Sequence, residues 1–299
     1  MTRATGSPLD PLSSSKHTSP PSRPASLHGR RSSWETAFWP VLRFGMSLLL
    51  ISIPLSLVVS WWLPLAWWKA FRRCVSIAAA LSLWIACRSE HTSLRSFGLS
   101  SWREGKRQFS MGLFLGVGAL ALLFGLYLAS GACHVNITPD RIKLWRTLLG
   151  FIPAAVLVSV LEEGVFRGFL LQHLLTSSRS LAFILTSTIY AFVHLKTAPL
   201  TLIAWLELGG LFLLGNVLAL TYLVTHRLYL AVGLHAALAY GARVNKLLVA
   251  FPDPSMAWLV GTSRLINGVV SWVALLGVGA LVIWWVRSSR KGGACHEDA

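Results

Sequence analysis

The chain has 299 residues, of which 54% are hydrophobic and only 13% are charged, and its mean hydropathy is +0.61. These values exclude an ordinary soluble domain and indicate an α-helical protein that crosses a membrane several times. A net charge of +16 would suggest nucleic-acid binding in a soluble protein, but Lys and Arg gather in the two ends and in one link between helices. The positive-inside rule explains that distribution, so we expect a lipid bilayer as a partner and no nucleic acid.

The chain begins with a segment that differs in composition from the rest. Residues 1–33 are rich in Ser, Pro, Thr and Arg, hold no apolar run and carry five basic residues against Asp10. This composition predicts a disordered basic tail rather than a signal peptide. The four cysteines lack metal-ligand spacing and predict neither a zinc knuckle nor a disulfide framework.

Eight apolar segments follow the tail, and they predict an all-α, polytopic membrane bundle of about eight transmembrane helices with a four-helix catalytic core. We assign 36–140 to N-terminal transmembrane helices, 141–250 to the core, 251–288 to a final helix and 289–299 to a C-terminal tail. The basic link from Arg88 to Arg107 and both termini are expected in the cytoplasm, in a bacterial cytoplasmic membrane. The apolar segments are 36–62, 66–87, 108–130, 147–175, 181–196, 200–224, 229–250 and 264–286.

The fourth apolar segment is longer than one plain crossing requires. A continuous helix from Thr147 to Leu175 would extend about 43 Å, against a hydrocarbon core of roughly 30 Å. The helix must therefore tilt or break, and Gly164 and Gly168 are the natural places for a bend.

This same segment contains two adjacent carboxylates and an arginine, which are costly in hydrocarbon unless they are paired or hydrated. Glu163 and Arg167 are four residues apart and share a helix face, so Arg167 can neutralise Glu163. Glu162 lies roughly 140° around the helix from Arg167 and is the freer carboxylate, suited to act as a general base. The alternative is an internal ion pair that only fixes helix packing.

Two later histidines could complete a site with Glu162. His194 ends the fifth segment, with Tyr190 one turn before it, and it lies as far after Ser178 as Glu162 lies before it. On antiparallel neighbouring helices the two side chains could therefore meet. His235 lies in the seventh segment among small residues that permit close helix approach.

The residues alone leave two hydrolytic chemistries open. In one, the carboxylate and one imidazole activate water for attack on a peptide carbonyl while the other imidazole stabilises the oxyanion. In the other, Glu162, His194 and His235 hold Zn²⁺ with an open position for water.

At these residues the sequence resembles the CPBP family of intramembrane endopeptidases, the type II CAAX prenyl proteases and bacteriocin-processing enzymes also called Abi proteins. That family is marked by Glu-Glu-x-x-x-Arg, then Phe-x-x-x-His, then His-x-x-x-Asn in a later helix. The resemblance covers residues 145–245, about a third of the chain. The three motifs read here Glu162-Glu163-x-x-x-Arg167, Tyr190-x-x-x-His194 and His235-x-x-x-Ala239.

The resemblance implies that Glu162 activates the water, that His194 assists it and that His235 forms part of the oxyanion site. It assigns supporting roles to Glu163, Arg167 and Tyr190, and it favours chemistry without a metal. The substrate would be a membrane-anchored protein or peptide. Two departures are evident, because tyrosine replaces phenylalanine in the second motif and Ala239 replaces the asparagine of the third.

The missing asparagine removes one expected oxyanion donor, a loss that elsewhere costs about 3 to 4 kcal/mol of transition-state stabilisation. Tyr190, Asn216 or Asn245 could supply the missing donor. Two other functions therefore stay open: an inert relative that acts as a binding or immunity scaffold, and a proton-coupled transporter that uses Glu162 and the histidines as a relay.

Simple counting along straight helices places His235 nearer to its link than Glu162 and His194 are to theirs. Glu162 and His194 would lie about 24 Å from the Ser178 link, and His235 about 12 Å from the Arg227 loop. We therefore expect an irregular stretch within 162–175 or within 197–210, where Pro199 and the pair Gly209-Gly210 could allow a re-entrant or broken stretch.

Overall fold

The computed structural model describes residues 33–196, 201–251 and 253–294. Within these ranges the chain forms helices joined by short links, together with one antiparallel pair of two-residue strands, which confirms the predicted all-α class. In chain order the elements are α1 (Ser33–Trp62), α2 (Trp67–Ser89), α3 (Trp102–Ala129), β1 (His134–Val135), α4 (Arg141–Glu163), a π-helical segment (Gly164–Leu171), α5 (Gln172–Leu175), α6 (Arg179–His194), α7 (Leu202–Thr225), α8 (Tyr229–Leu248), β2 (Val249–Ala250), a 3₁₀ turn (Pro254–Met256), α9 (Ala257–Val260) and α10 (Val269–Ala294).

The helices have the length and surface of membrane-spanning segments. Large apolar side chains are exposed on the outside of the bundle, among them Leu50 (70%), Phe114 (78%) and Leu157 (71%), as expected for surfaces that face lipid. The chain is thus an integral, multi-pass membrane protein; the count of eight spans and the domain boundaries stay predictions. Within the described ranges, five segments are long and apolar enough to cross a membrane, and Val269–Trp285 is a shorter apolar helix. The five are Thr36–Trp62, Trp67–Ser89, Trp102–Ala129, Arg141–Leu175 and Leu202–Thr225.

Local polar contacts explain why two helices begin at residues other than the starts of the predicted segments. α4 begins at Arg141 because the side chain of Asp140 caps it, accepting the Lys143 N–H at 2.9 Å. α10 begins only at Val269, because the side chain of Asn267 accepts the Thr262 N–H at 2.9 Å and holds a turn before the helix.

The two predicted tails fall largely outside the described residues. Of the N-terminal tail at 1–33, only Ser33 is described, and there it already belongs to α1. Of the C-terminal tail at 289–299, the backbone is described as far as Ala294, the last residue of α10.

Helices α3 and α8 run side by side in the same direction, and small residues let them approach closely. A Cβ atom at Gly112 would lie 2.8 Å from the backbone nitrogen of Leu234, and one at Gly233 would lie 2.9 Å from the backbone nitrogen of Leu113. Real Cβ atoms essentially never come so close, so the backbones themselves are in contact, as in small-xxx-small membrane pairs. The β1·β2 pairing joins the chain that follows each of these helices.

The expected irregular stretch is found within 162–175, and in the described part of 197–210 helix α7 is regular from Leu202 onward. Regular α-helix gives way to π-helix at Gly164, one of the two glycines where a bend was expected, whereas α7 runs unbroken through Gly209 and Gly210. Residues 197–200 lie outside the described part of the chain.

The start of α8 also explains why counting along straight helices gives the wrong depth for His235. The Leu228 N–H donates to the Gly98 carbonyl oxygen at 3.1 Å, and the Tyr229 hydroxyl donates to the Ser100 carbonyl oxygen at 2.5 Å. The link between α2 and α3 therefore covers the start of α8, and Leu228 is fully buried. Counting residues from a helix end at the membrane surface therefore gives the wrong depth for His235, because α8 begins inside the bundle.

Candidate active site

Glu162 and Glu163 are the last two residues of α4, and the change to π-helix follows them directly. Such π-helical segments inside helices are often found at functional sites. The two carboxylates have different environments, because the Glu163 side chain is fully buried whereas that of Glu162 is 26% exposed. Only Glu162 of the pair lines the cavity described below.

The buried partner of Glu163 is Arg167, as the four-residue spacing predicted. The Arg167 Nη1 donates to Glu163 Oε1 at 3.0 Å, and Nη2 donates to the carbonyl oxygen of Gly215 in α7 at 2.9 Å. The guanidinium also lies 4.8 Å from the ring centroid of Tyr190. Because a fully buried charge is costly when its partner is removed, this pair fixes the end of α4 against α6 and α7.

Glu163 also orients the first histidine. His235 Nδ1 lies 2.7 Å from Glu163 Oε1, and since a carboxylate only accepts hydrogen bonds, we assign an N–H to Nδ1. This contact leaves His235 Nε2 directed at Glu162, whose Oε2 is 3.5 Å away. Glu163 thus fixes the orientation of the His235 imidazole, as hydrogen-bonded carboxylates often do for functional histidines.

The second histidine forms a pair with Glu162. His194 Nδ1 lies 2.8 Å from the carbonyl oxygen of Tyr190, an acceptor, so Nδ1 carries a proton. Its other nitrogen, Nε2, lies 3.1 Å from Glu162 Oε2. One further proton is shared across this contact, either on the imidazole or on the carboxylate, which is the arrangement that a proton-transferring pair requires.

Tyr190 packs against both histidines. Its ring stacks on His194 with centroids 4.2 Å apart and meets His235 edge-on at 6.2 Å. Phe166 closes the other side at 5.1 Å. Tyr190 is 2% exposed and lines the cavity, and its hydroxyl makes no hydrogen bond within the described residues.

A cavity of about 410 Å³ opens beside these groups and is lined by Glu162, Tyr190, His194 and His235. Apolar side chains of α3, α4, α7, α8 and α10 form much of the remaining wall. The cavity therefore combines a polar reactive corner with an apolar interior, as in many small-molecule and peptide sites.

The structure brings together all six predicted site residues, whose catalytic or supporting roles stay predictions. It separates the three candidates for the missing oxyanion donor. The side-chain nitrogen of Asn216 donates to the Phe212 carbonyl oxygen at 2.8 Å, and that of Asn245 donates to the Ser263 carbonyl oxygen at 3.0 Å. Neither asparagine lines the cavity, whereas Tyr190 and Ala239 do.

The metal-free mechanism and its zinc alternative both stay predictions. One carboxylate and two imidazoles are a donor set that zinc uses in hydrolases. In the part of the chain that the structure describes, however, no group of three His, Cys, Asp or Glu side chains is placed to hold a metal ion.

Four basic residues on the cavity wall were missed at the sequence level. Arg243 and Lys246 lie eight and eleven residues after His235, a spacing that keeps them on one helix face, and this signal was available in the sequence. Lys196 and Arg264 come from other parts of the chain, so only the fold places them in the same cavity.

The fold and the site together describe a polytopic membrane protein with a carboxylate–imidazole pair beside an intramembrane cavity. Residues 143–240 match the family described as type II CAAX prenyl endopeptidase Rce1-like, which confirms the resemblance predicted from the motifs. The match spans α4 to most of α8 and supports a peptidase function of the CAAX-protease kind. Neither the curated proteins nor the solved structures gave a match to this chain.

Proposed function

We propose that this protein is an intramembrane endopeptidase that hydrolyses a peptide bond of a membrane-associated protein or peptide with water activated by Glu162. The observation that carries the proposal is the contact of Glu162 with both histidines at the wall of one cavity. A general base must lie within hydrogen-bond reach of the group whose proton it takes, and a water molecule in this cavity can reach Glu162 Oε2.

In the proposed reaction, Glu162 removes a proton from water, and the resulting hydroxide attacks the carbonyl carbon of the substrate. The C–N bond then breaks, and the proton returns to the leaving amine through Glu162 or His194. His194 is suited to the transfer because its Nδ1 is fixed by the Tyr190 carbonyl oxygen, which leaves Nε2 at Glu162.

The negative charge on the carbonyl oxygen requires donors directed into the cavity. His235 can donate from Nε2 when it carries both ring protons, since Nδ1 is engaged by Glu163. We assign the second donor to the hydroxyl of Tyr190. Tyr190 and Ala239 both line the cavity, and the alanine side chain offers no hydrogen-bond donor.

The direct test is proteolysis of a membrane-peptide library by the purified protein in nanodiscs. We expect cleavage by the wild type, with oxygen from labelled water in the new carboxyl group. Glu162→Gln and His194→Ala should each lower kcat by about 10²- to 10⁴-fold, the usual contribution of acid–base groups. Matched changes at exposed positions, Glu104→Gln and His134→Ala, should leave kcat unchanged.

Two results would contradict parts of this proposal. Activity that is lost on chelation and restored by one equivalent of Zn²⁺ would replace the metal-free mechanism. If folded wild type binds the peptides with the same affinity as Glu162→Gln does and cleaves none of them, the protein is an inert scaffold. Ala239 favours this alternative because it lacks the hydrogen-bond donor of the family's asparagine.

A further inference from the structure

Four basic side chains line the cavity away from its reactive corner, and we call Lys196, Arg243, Lys246 and Arg264 the basic cluster. Lys196 follows α6, Arg243 and Lys246 lie near the end of α8, and Arg264 precedes α10. Among the described residues that line the cavity, Glu207 is the one acidic side chain besides Glu162. Positive charge therefore exceeds negative charge in this part of the wall.

Glu207 is already engaged and offsets only part of this charge. Its side chain is buried and accepts from Arg264 Nη1 at 2.5 Å and from the backbone N–H of Lys196 at 3.3 Å. The ammonium group of Lys196 lies near the positive charges of Arg72, Lys246 and Arg264 as well as near Glu207. The cluster thus holds cations that are crowded together without enough carboxylates to match them.

Two members of the cluster, Arg243 and Lys246, share one face of α8 with His235. Along α8, the residues that line the cavity continue from His235 through Ala239 and Ala242 to Arg243 and Lys246. With a rise of 1.5 Å per residue, the two cations lie about 12 and 17 Å along the helix from His235. An extended peptide covers this distance in about three to five residues.

On the basis of the proposed function, we propose that the basic cluster binds a carboxylate of the peptide substrate, three to five residues from the bond that is cleaved. The carboxylate belongs either to an acidic side chain or to the end of the peptide chain, and both have the same chemistry. We favour a peptide over a lipid as the occupant, because the cluster and Glu162, the proposed general base for peptide hydrolysis, line the same cavity.

The test uses the full-length protein in phosphatidylcholine nanodiscs and pairs of peptides that differ by one carboxylate. One pair carries Asp or Asn four residues before the cleaved bond, a second carries them four residues after it, and a third ends in an acid or an amide. We expect kcat/KM to favour the acidic member of at least one pair by about ten-fold or more, as for loss of a charge-assisted hydrogen bond.

The preference should fall towards unity in Arg243→Gln/Lys246→Gln. It should persist in the matched variant Lys106→Gln/Arg107→Gln, which removes the same charges from exposed positions of α3 that do not line the cavity. A wild type without preference, or a double variant that keeps it, overturns the role of the cluster. Cleavage that still depends on Glu162 would then leave the proposed function standing.

If no peptide is cleaved, the proposed function fails and binding alone tests the cluster. Labelled acidic and neutral peptides are then titrated into Glu162→Gln and followed by fluorescence anisotropy. Tighter binding of the acidic peptide that is lost with Arg243→Gln/Lys246→Gln supports the cluster, and equal binding overturns it. If phosphatidylglycerol in the nanodisc abolishes the preference, the cluster binds a lipid phosphate and the peptide proposal is wrong.

Discussion

At the scale of single residues, the candidate site is one continuous series of polar contacts. Arg167 holds Glu163, Glu163 orients His235, and His235 and His194 both contact Glu162. The adjacent acids have separate environments because the helix directs one into the protein and the other towards the cavity, and this difference supports the separate functions proposed for them. A change at Glu163 therefore alters the position of an imidazole rather than the water itself.

The residue-scale prediction concerns the second oxyanion donor. Tyr190→Phe should lower kcat by about 10²-fold, because one oxyanion donor usually contributes this much. Ala239→Asn places an amide at the position of the family's asparagine and should make the same Tyr190→Phe change far less harmful. The measurement is kcat for the four proteins of this double-mutant cycle.

The matched control for that cycle is Tyr240→Phe. The hydroxyl of Tyr240 donates to the Leu148 carbonyl oxygen at 2.8 Å, and Tyr240 does not line the cavity. We expect this control to keep the kcat of the wild type. Tyr190→Phe with unchanged kcat would remove Tyr190 from the mechanism.

At the scale of elements, the position of His235 depends on how closely α3 and α8 approach. Gly112 and Gly116 on α3 face Leu234 and Ala237 on α8, one on each side of His235 along the chain. A small-residue stripe on α3, which carries none of the proposed catalytic groups, therefore sets the distance of one catalytic group from Glu162.

Gly112→Ala should destabilise the protein by about 1–3 kcal/mol, as overpacking does in tight interfaces. Gly118→Ala, on the same helix, is the control, since nothing lies within 4 Å of a Cβ atom there. The free energies of unfolding, measured by denaturant titration in micelles, should separate the two variants. Equal stability would mean that the helices are less closely packed than described.

Much of the site could be predicted from sequence because its contacts are local or repeat along helices. The Glu163–Arg167 pair follows from four-residue spacing, and the meeting of Glu162 with His194 follows from a short hairpin. The depth of His235 could not be obtained this way, because it depends on the link that covers Leu228. The basic cluster combines residues from distant parts of the chain, which spacing alone does not relate.

At the scale of the whole molecule, the parallel course of α3 and α8 requires that the chain cross the membrane an odd number of times between them. The link that holds Arg95 and the first turn of α3, which holds Arg103, then lie on the side where both helices begin, and the β1·β2 pair lies on the side where both end. The positive-inside rule assigns the first side to the cytoplasm. Arg141 and Lys143 also make the second side basic, so the orientation should be measured directly.

Cysteine labelling in intact cells or spheroplasts provides that measurement. In a Cys295→Ser background, a membrane-impermeant maleimide should label His134→Cys from outside and should label Ser93→Cys only after permeabilisation. Both positions are exposed, whereas Cys74, Cys87 and Cys133 are buried and should react little. The reverse pattern would invert the orientation, and labelling of both sites from one side would contradict the crossing of α3.

The part of the cavity wall that α3 contributes lies outside the segment that matches the protease family. Ala119, Leu120 and Leu123 line the cavity, yet they lie well before residue 143, where the match to the protease family begins. The segment that holds the proposed catalytic groups and the α3 part of the cavity wall are thus different stretches of the chain. Substitutions in α3 can change which molecules the cavity admits without changing any residue of the matched segment.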